Sequence, residues 1–169
     1  MKPILTPTAV EVLRCVHETM ESGIIPSLTG KTERSNAATI QHMLRFVENR
    51  MEQEGQTLFD EIARLRAFLP TTFAWLEAQA KGAALVPAIK ATVETRRPAE
   101  VYPTLTMVSD DVAALRQHVC DLLELLHAAP EGDAEARRLH AEVRAYIVWQ
   151  LEQEGSIVEP TFVGNGPRR

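Results

Sequence analysis

Two glutamates stand where an apolar side chain would continue a helical stripe: Glu54, three positions after Met51, and Glu154, three positions after Leu151. Carboxylates so placed look into a helix-bundle interior. Related by a pseudo-two-fold axis, they would share a metal ion or raise one another's pKa, the arrangement that acid–base chemistry uses. The plainer reading has each long Glu side chain reaching solvent from the bundle edge, beside Gly55 and Gly155, where packing relaxes. His118 lies between Leu115 and Leu122 at helical spacing, so it is expected near the core. There it acts as a base or, more simply, as a histidine satisfied by one hydrogen bond. Phe73, Trp75, Tyr102 and Trp149 would line a small-ligand pocket between a helical insertion and the bundle, or form the insertion's own minor core. Glu54, Glu154, His118, Trp75, Tyr102 and Trp149 are thus the ligand-binding candidates, and no catalytic residue is assigned.

The other chemistry-bearing residues argue mostly by elimination. Glu124-Leu125-Leu126-His127 has the Glu-x-x-His spacing that di-iron bundles use to put two ligands on one helix face, but it occurs once. Such a site needs a second copy and further glutamates, and the corresponding part of the first helix offers Ile24 and Ile25. No metal and no cofactor is expected. His42, Arg45, Asn49 and Glu52 fall on adjoining turns as a polar ridge that faces water. The chain has no Gly-x-Gly-x-x-Gly, phosphate-loop signature, Cys-x-x-Cys or glycine-flanked serine, so nucleotide chemistry by a known loop is not expected.

The elements that must position these residues follow from apolar periodicity. A first helix begins at Thr6-Pro7, a cap hydroxyl followed by a proline, and carries Val12, Leu13, Val16, Met20 and Ile24. A polar turn leads to Ser35 or Asn36, which would cap a second helix of about 30 residues. Its stripe, from Ile40 through Met43, Val47, Met51, Leu58, Ile62 and Leu65 to Leu69, keeps phase through Gly55, and Pro70 stops it. Thr71 or Thr72 would cap a short helix ending near Gly82, and another would run over about 85–94. A third long helix would open at Ser109 or Asp110 with Val112, Leu115, Val119, Leu122 and Leu126 inward. Pro130-Glu131-Gly132 makes a turn, and Asp133 caps a fourth helix carrying Leu139, Val143, Tyr146, Ile147 and Leu151, which Gly155 and Pro160 end.

Glu-Gln-Glu-Gly occurs at both 52–55 and 152–155, and flanking apolar positions correspond: Phe46, Val47, Met51 and Leu58 with Tyr146, Ile147, Leu151 and Val158. Leu13-Arg14 and Leu115-Arg116 also correspond, with a two-residue difference in spacing. The expected fold is therefore all-α, a four-helix up-down bundle of two related hairpins with a short helical insertion between them. The domain reading is a single domain over 1–160, with a hairpin at 7–69, the insertion at 70–108, a hairpin at 109–158, and a mobile tail at 161–169.

With 169 residues, 45% of them hydrophobic, the chain is long enough for one sizeable core. A net charge of -5 argues against a nucleic-acid partner, whose phosphates call for concentrated Lys and Arg. Residues 1–7 carry one cation and no apolar run of export length, and charges interrupt every apolar stretch, so neither a signal peptide nor a membrane span is expected. The reading is a cytoplasmic protein. Cys15 and Cys120 fall within predicted helices and read as reduced core filling. The second helix outruns its partner, so its surplus stripe calls for a second surface, either the insertion or another copy of the chain. A homodimer follows from the second choice.

Ile25-Pro26-Ser27-Leu28-Thr29-Gly30, followed by Asn36-Ala37-Ala38-Thr39-Ile40-Gln41-His42-Met43-Leu44-Arg45, resembles a small helical bacterial family of unassigned activity. In that family an Ile-Pro-x-Leu-x-Gly turn joins two helices and an Asn-Ala-rich segment opens the second. Its members accompany phosphotransferase-like kinases and acyl-CoA dehydrogenases. The resemblance covers about the first 70 residues, carries no catalytic residue, and implies an accessory role in acyl-CoA or related catabolism. Two functions are thus expected to compete. One is a non-enzymatic accessory or interaction module for a metabolic enzyme. The other is a small-molecule or acyl-ligand-binding protein, or an enzyme, using an interior polar site.

Overall fold

Thr8 starts the first helix: its hydroxyl accepts the Glu11 amide at 3.2 Å, and the Glu11 carboxylate accepts the Thr8 amide at 2.7 Å, closing a capping box. A computed structural model describes residues 7–98 and 102–158, and every regular element among them is helical. The order is α1 (Ala9–Thr19), a π-helical turn (Met20–Ile24), α2 (Ile25–Ser27), α3 (Lys31–Phe68), a 3₁₀ turn (Leu69–Thr72), α4 (Phe73–Ala78), α5 (Ala80–Ala83), α6 (Val86–Glu94), α7 (Leu105–His127) and α8 (Ala134–Val158). The expected cap at Thr6, the stop at Pro160 and the tail at 161–169 lie outside the described residues. No helix among the described residues is long and apolar enough to cross a membrane.

The chain divides into two compact units. One comprises the residues up to Gly55 together with those from Glu152 onward, and the other is Gln56–Leu151. Both Glu-Gln-Glu-Gly tetrapeptides fall at the edge of the first.

In the first unit, Pro26 cannot supply the amide that a continuing α-helix would need, and the backbone loosens into the π turn ahead of it. Thr19 and Ser22 also donate their hydroxyls back to the carbonyls of Cys15 and Glu18, a pattern that bends helices. α1 and α3 meet through Arg14, which donates to Glu48 at 3.0 Å, and Arg45, which donates to His17 at 3.3 Å. Asn49 donates to the carbonyl of Ile157 at 3.2 Å, tying α3 to the last turn of α8. α3 begins at Lys31, ahead of the expected Ser35 or Asn36. Gly30 supplies the first accepting carbonyl, to Arg34, and the Glu33 carboxylate occupies the space a Cβ would fill at Gly30.

The second unit holds the core. Leu65 of α3, Leu69 of the 3₁₀ turn, Leu76 of α4, Ile89 of α6, Val112, Leu115 and Leu122 of α7, and Leu139 and Val143 of α8 are sealed from solvent. α6 packs on α7 and α4 on α5. Several boundaries differ from expectation, each for a local reason. Thr71 and Thr72 cap nothing, because their hydroxyls donate back to the carbonyls of Phe68 and Leu69, both at 2.7 Å. The short helix breaks at Gln79, whose backbone is extended, and Gly82 lies buried inside α5. α7 opens at Leu105, ahead of Ser109, because the Thr104 hydroxyl accepts the Met107 amide at 3.2 Å. Asp133 caps α8 as expected, accepting the Ala136 amide at 2.9 Å, but α8 runs through Gly155 to Val158. Cys15 and Cys120 are free and exposed, so neither fills a core.

Candidate functional site

Every member of the buried apolar cluster belongs to the second unit. The first unit buries only Ala37 and Ile157 among its described apolar residues. α1 buries none of its own, although Val12, Val16 and its other apolar positions keep a helical period. On α3, Met43 is 64% exposed, and Ile40, Val47 and Met51 are between 43% and 48% exposed. Steps of three, four and four residues put these four on one stripe. Val12 and Val16 of α1 are exposed to a similar degree. The rim is charged in both senses: Arg14 pairs with Glu48 at 3.0 Å and lies 3.7 Å from Glu52, and Arg50 donates to Glu54 at 2.8 Å. An apolar stripe within a mixed-charge rim is how protein interfaces are built.

Of the residues nominated from sequence, Glu54 and Glu154 belong to the first unit and Trp75, Tyr102, His118 and Trp149 to the second. Glu54 is half-buried and engaged by Arg50 one helical turn away, while Glu154 is exposed. Met51 and Leu151, which define the stripes these glutamates continue, are themselves exposed, so the stripe is not a core at that level. No group of three or more metal-ligating side chains occurs among the described residues. The Glu124-x-x-His127 pair is on the surface, where the His127 ring lies 5.5 Å from that of His140.

In the second unit, His118 faces Thr92 at 2.9 Å. The Thr92 hydroxyl donates to the Ala88 carbonyl, which makes His118 Nε2 the donor to Thr92 and leaves Nδ1 buried, 3.8 Å from Asp121. Trp75 is buried and donates its indole N–H to Asp133 at 2.8 Å. That bond, together with the Ala136 amide, holds the Asp133 carboxyl below its ordinary pKa. Trp149 stacks beside Tyr146, with its ring 5.0 Å from the Arg64 guanidinium, while Phe73 lies under Lys90. Tyr102 is 95% exposed. The four aromatics thus serve separate contacts.

The second unit buries a polar network whose members were not among the residues nominated from sequence. Glu61 of α3, 1% exposed, accepts two bonds from Arg116 of α7, Nε at 2.6 Å and Nη2 at 2.8 Å, and one from the Tyr146 hydroxyl of α8 at 2.6 Å. Three helices are pinned at one carboxylate. Glu61 stands three residues after Leu58 and four before Leu65, so the reasoning applied to Glu54 would have found it. Arg116 is held protonated chiefly by Glu61. Burial, and then the bond to Glu61, push the Tyr146 phenol well above its ordinary 10.0. A folded-state pKa above the unfolded value contributes stability below pH 10.0 that is lost as pH rises through the folded value. Wild-type stability, read from urea midpoints, should therefore fall progressively above pH 10.0, and Tyr146→Phe should flatten that decline. An unchanged slope in the variant would remove Tyr146 from the network's titration.

No protein-family model, curated protein or solved structure matches this chain.

Proposed function

We propose that this chain is a non-enzymatic interaction module that self-associates as a homodimer through the α1–α3 face of its first unit and serves as an accessory to a metabolic enzyme. One observation carries the reading: the apolar stripe Ile40, Met43, Val47 and Met51 lies open in a unit whose described residues form no buried apolar cluster. Isolated helices of this kind draw their stability from covering an apolar face, and each half-exposed aliphatic side chain contributes about 1 kcal/mol when covered. A second copy suits the face because its rim holds both signs, Arg14 and Arg50 with Glu48, Glu52 and Glu54. A two-fold contact can therefore set cations against anions in both directions. An acyl-CoA-linked enzyme partner is supported by the resemblance of residues 25–45. An organisation in two related hairpins is supported by the two tetrapeptides, which lie in one unit, and by the Asn49 bond to Ile157.

The double variant Met43→Glu/Val47→Glu tests this. It puts two like charges at the centre of the paired face and should weaken self-association about 100-fold, or ~3 kcal/mol. Sedimentation equilibrium reads the effect, with circular dichroism as the check on folding. Self-association equal to that of wild type would remove the α3 stripe from the interface.

A further inference from the structure

Two arginines of α8 stand on its solvent side without a counter-charge. Arg138 divides its guanidinium between Glu135 and Glu142, whereas Arg137 and Arg144, both exposed, make no hydrogen bond or ion pair through their side chains among the described residues. They are seven residues apart, so helical geometry sets them about 10.5 Å apart along the axis and only ~20° apart around it. Ala141 falls between them, with His140 on one side of their line and Ala145 on the other. A long side chain at 141 would fill the space between the two guanidinium groups; a methyl group leaves it open.

The result is a recess of about 500 Å³ lined by Arg137, His140, Ala141, Arg144, Ala145 and Val148. Among the described residues its lining holds two cations and an imidazole, and no carboxylate. Glu131 and Asp133 border a neighbouring recess that shares Arg137 and His140, and Asp133 is already engaged by the Trp75 indole at 2.8 Å and the Ala136 amide at 2.9 Å. The donors here face solvent, so an incoming anion can reach them. His140, half-buried with its ring 5.5 Å from that of His127, adds an imidazole N–H. Val148, 50% exposed, and the two alanines give the recess an apolar side.

A guanidinium presents paired N–H donors to an oxyanion, and two of them match the roughly -1.5 to -2 charge of a phosphate monoester better than the single charge of a carboxylate. We propose that this recess binds the phosphate of a small organic monoester between Arg137 and Arg144, with His140 as a further donor and Ala141, Ala145 and Val148 against the ester's carbon atoms. All six residues belong to the second unit, so the assignment is independent of the self-association face of the first.

The test titrates the full chain with monobutyl phosphate, with acetate and with chloride at matched ionic strength, following backbone amide resonances. Saturable shifts over 137–148 with monobutyl phosphate, with acetate at least tenfold weaker, support the site. Arg137→Gln and Arg144→Gln, at exposed positions whose side chains hold no partner, should each weaken binding about tenfold, the value of one charged hydrogen bond. Ala141→Glu keeps a good helix former while filling the gap with a carboxylate, and should abolish binding. Arg138→Gln removes the same charge from the same helix and should leave binding unchanged. Equal shifts with chloride, acetate binding as tightly as monobutyl phosphate, or a loss for Arg138→Gln matching that for Arg144→Gln would mean general charge screening and overturn the proposal.

Discussion

Replacing Arg116 with methionine should lower the unfolding free energy by about 3 kcal/mol, because it strands a carboxylate inside the core of the second unit. Glu61 has a side-chain exposure of 2% and accepts from Arg116 twice. Without Arg116 it keeps, among the described residues, only the Tyr146 hydroxyl. The figure sits at the low end for a broken buried pair, since the Arg116 side chain is 39% exposed and its loss costs less than that of a fully enclosed cation. Breaking the pair and removing it are different experiments. In Glu61→Leu/Arg116→Met/Tyr146→Phe no polar group is left orphaned, and stability should return to within about 1 kcal/mol of wild type. Equilibrium urea unfolding measures both variants. A loss for Arg116→Met within the ~0–1 kcal/mol typical of surface pairs would show that the network contributes little to holding α3, α7 and α8 together.

The second large effect comes from backbone crowding. A Cβ at Gly82 would stand 2.6 Å from the Leu76 carbonyl oxygen and 3.0 Å from its Cα. Those atoms cannot rotate aside as a side-chain tip can, and Leu76 is itself sealed in the core. Gly82→Ala should therefore destabilise by about 2 kcal/mol, with Gly82→Val worse, as α5 is pushed off α4. Gly55 provides the contrast. Among the described residues nothing lies within 4 Å of a Cβ built there, and the residue is inside α3, so Gly55→Ala should stabilise by roughly 0.5–1 kcal/mol. Thermal unfolding of the two alanine variants side by side checks the sign. Equal shifts would mean that α5 moves freely away from Leu76.

The sequence carried the periods of the helices but not what covers them. Val112, Leu115, Val119, Leu122, Leu126, Leu139 and Val143 were expected inward and are buried. Ile40, Met43, Val47 and Met51 share an equally regular stripe and lie open, because periodicity reports that one face is apolar and is silent about its neighbour. Tyr146 was legible as core, yet its hydroxyl needed a partner, and neither Glu61 nor Arg116 could be paired across 55 residues from spacing alone. The Arg66 bond to the Thr95 carbonyl was illegible for the same reason, since it spans 29 residues. Helix starts were misplaced where a short cap did the work. Thr104 opens α7 ahead of Ser109 and Asp110, and α3 opens at Lys31, after Gly30, whose carbonyl accepts the Arg34 amide.

The central claim is that a second copy of the chain covers the open face of the first unit. Light scattering across a dilution series of the wild-type chain addresses it most directly. The account predicts a particle of twice the 18.8 kDa chain mass, dissociating on dilution and on introduction of Met43→Glu/Val47→Glu. A mass of 18.8 kDa at every concentration, with the α1 and α3 amides still protected from exchange, would contradict it.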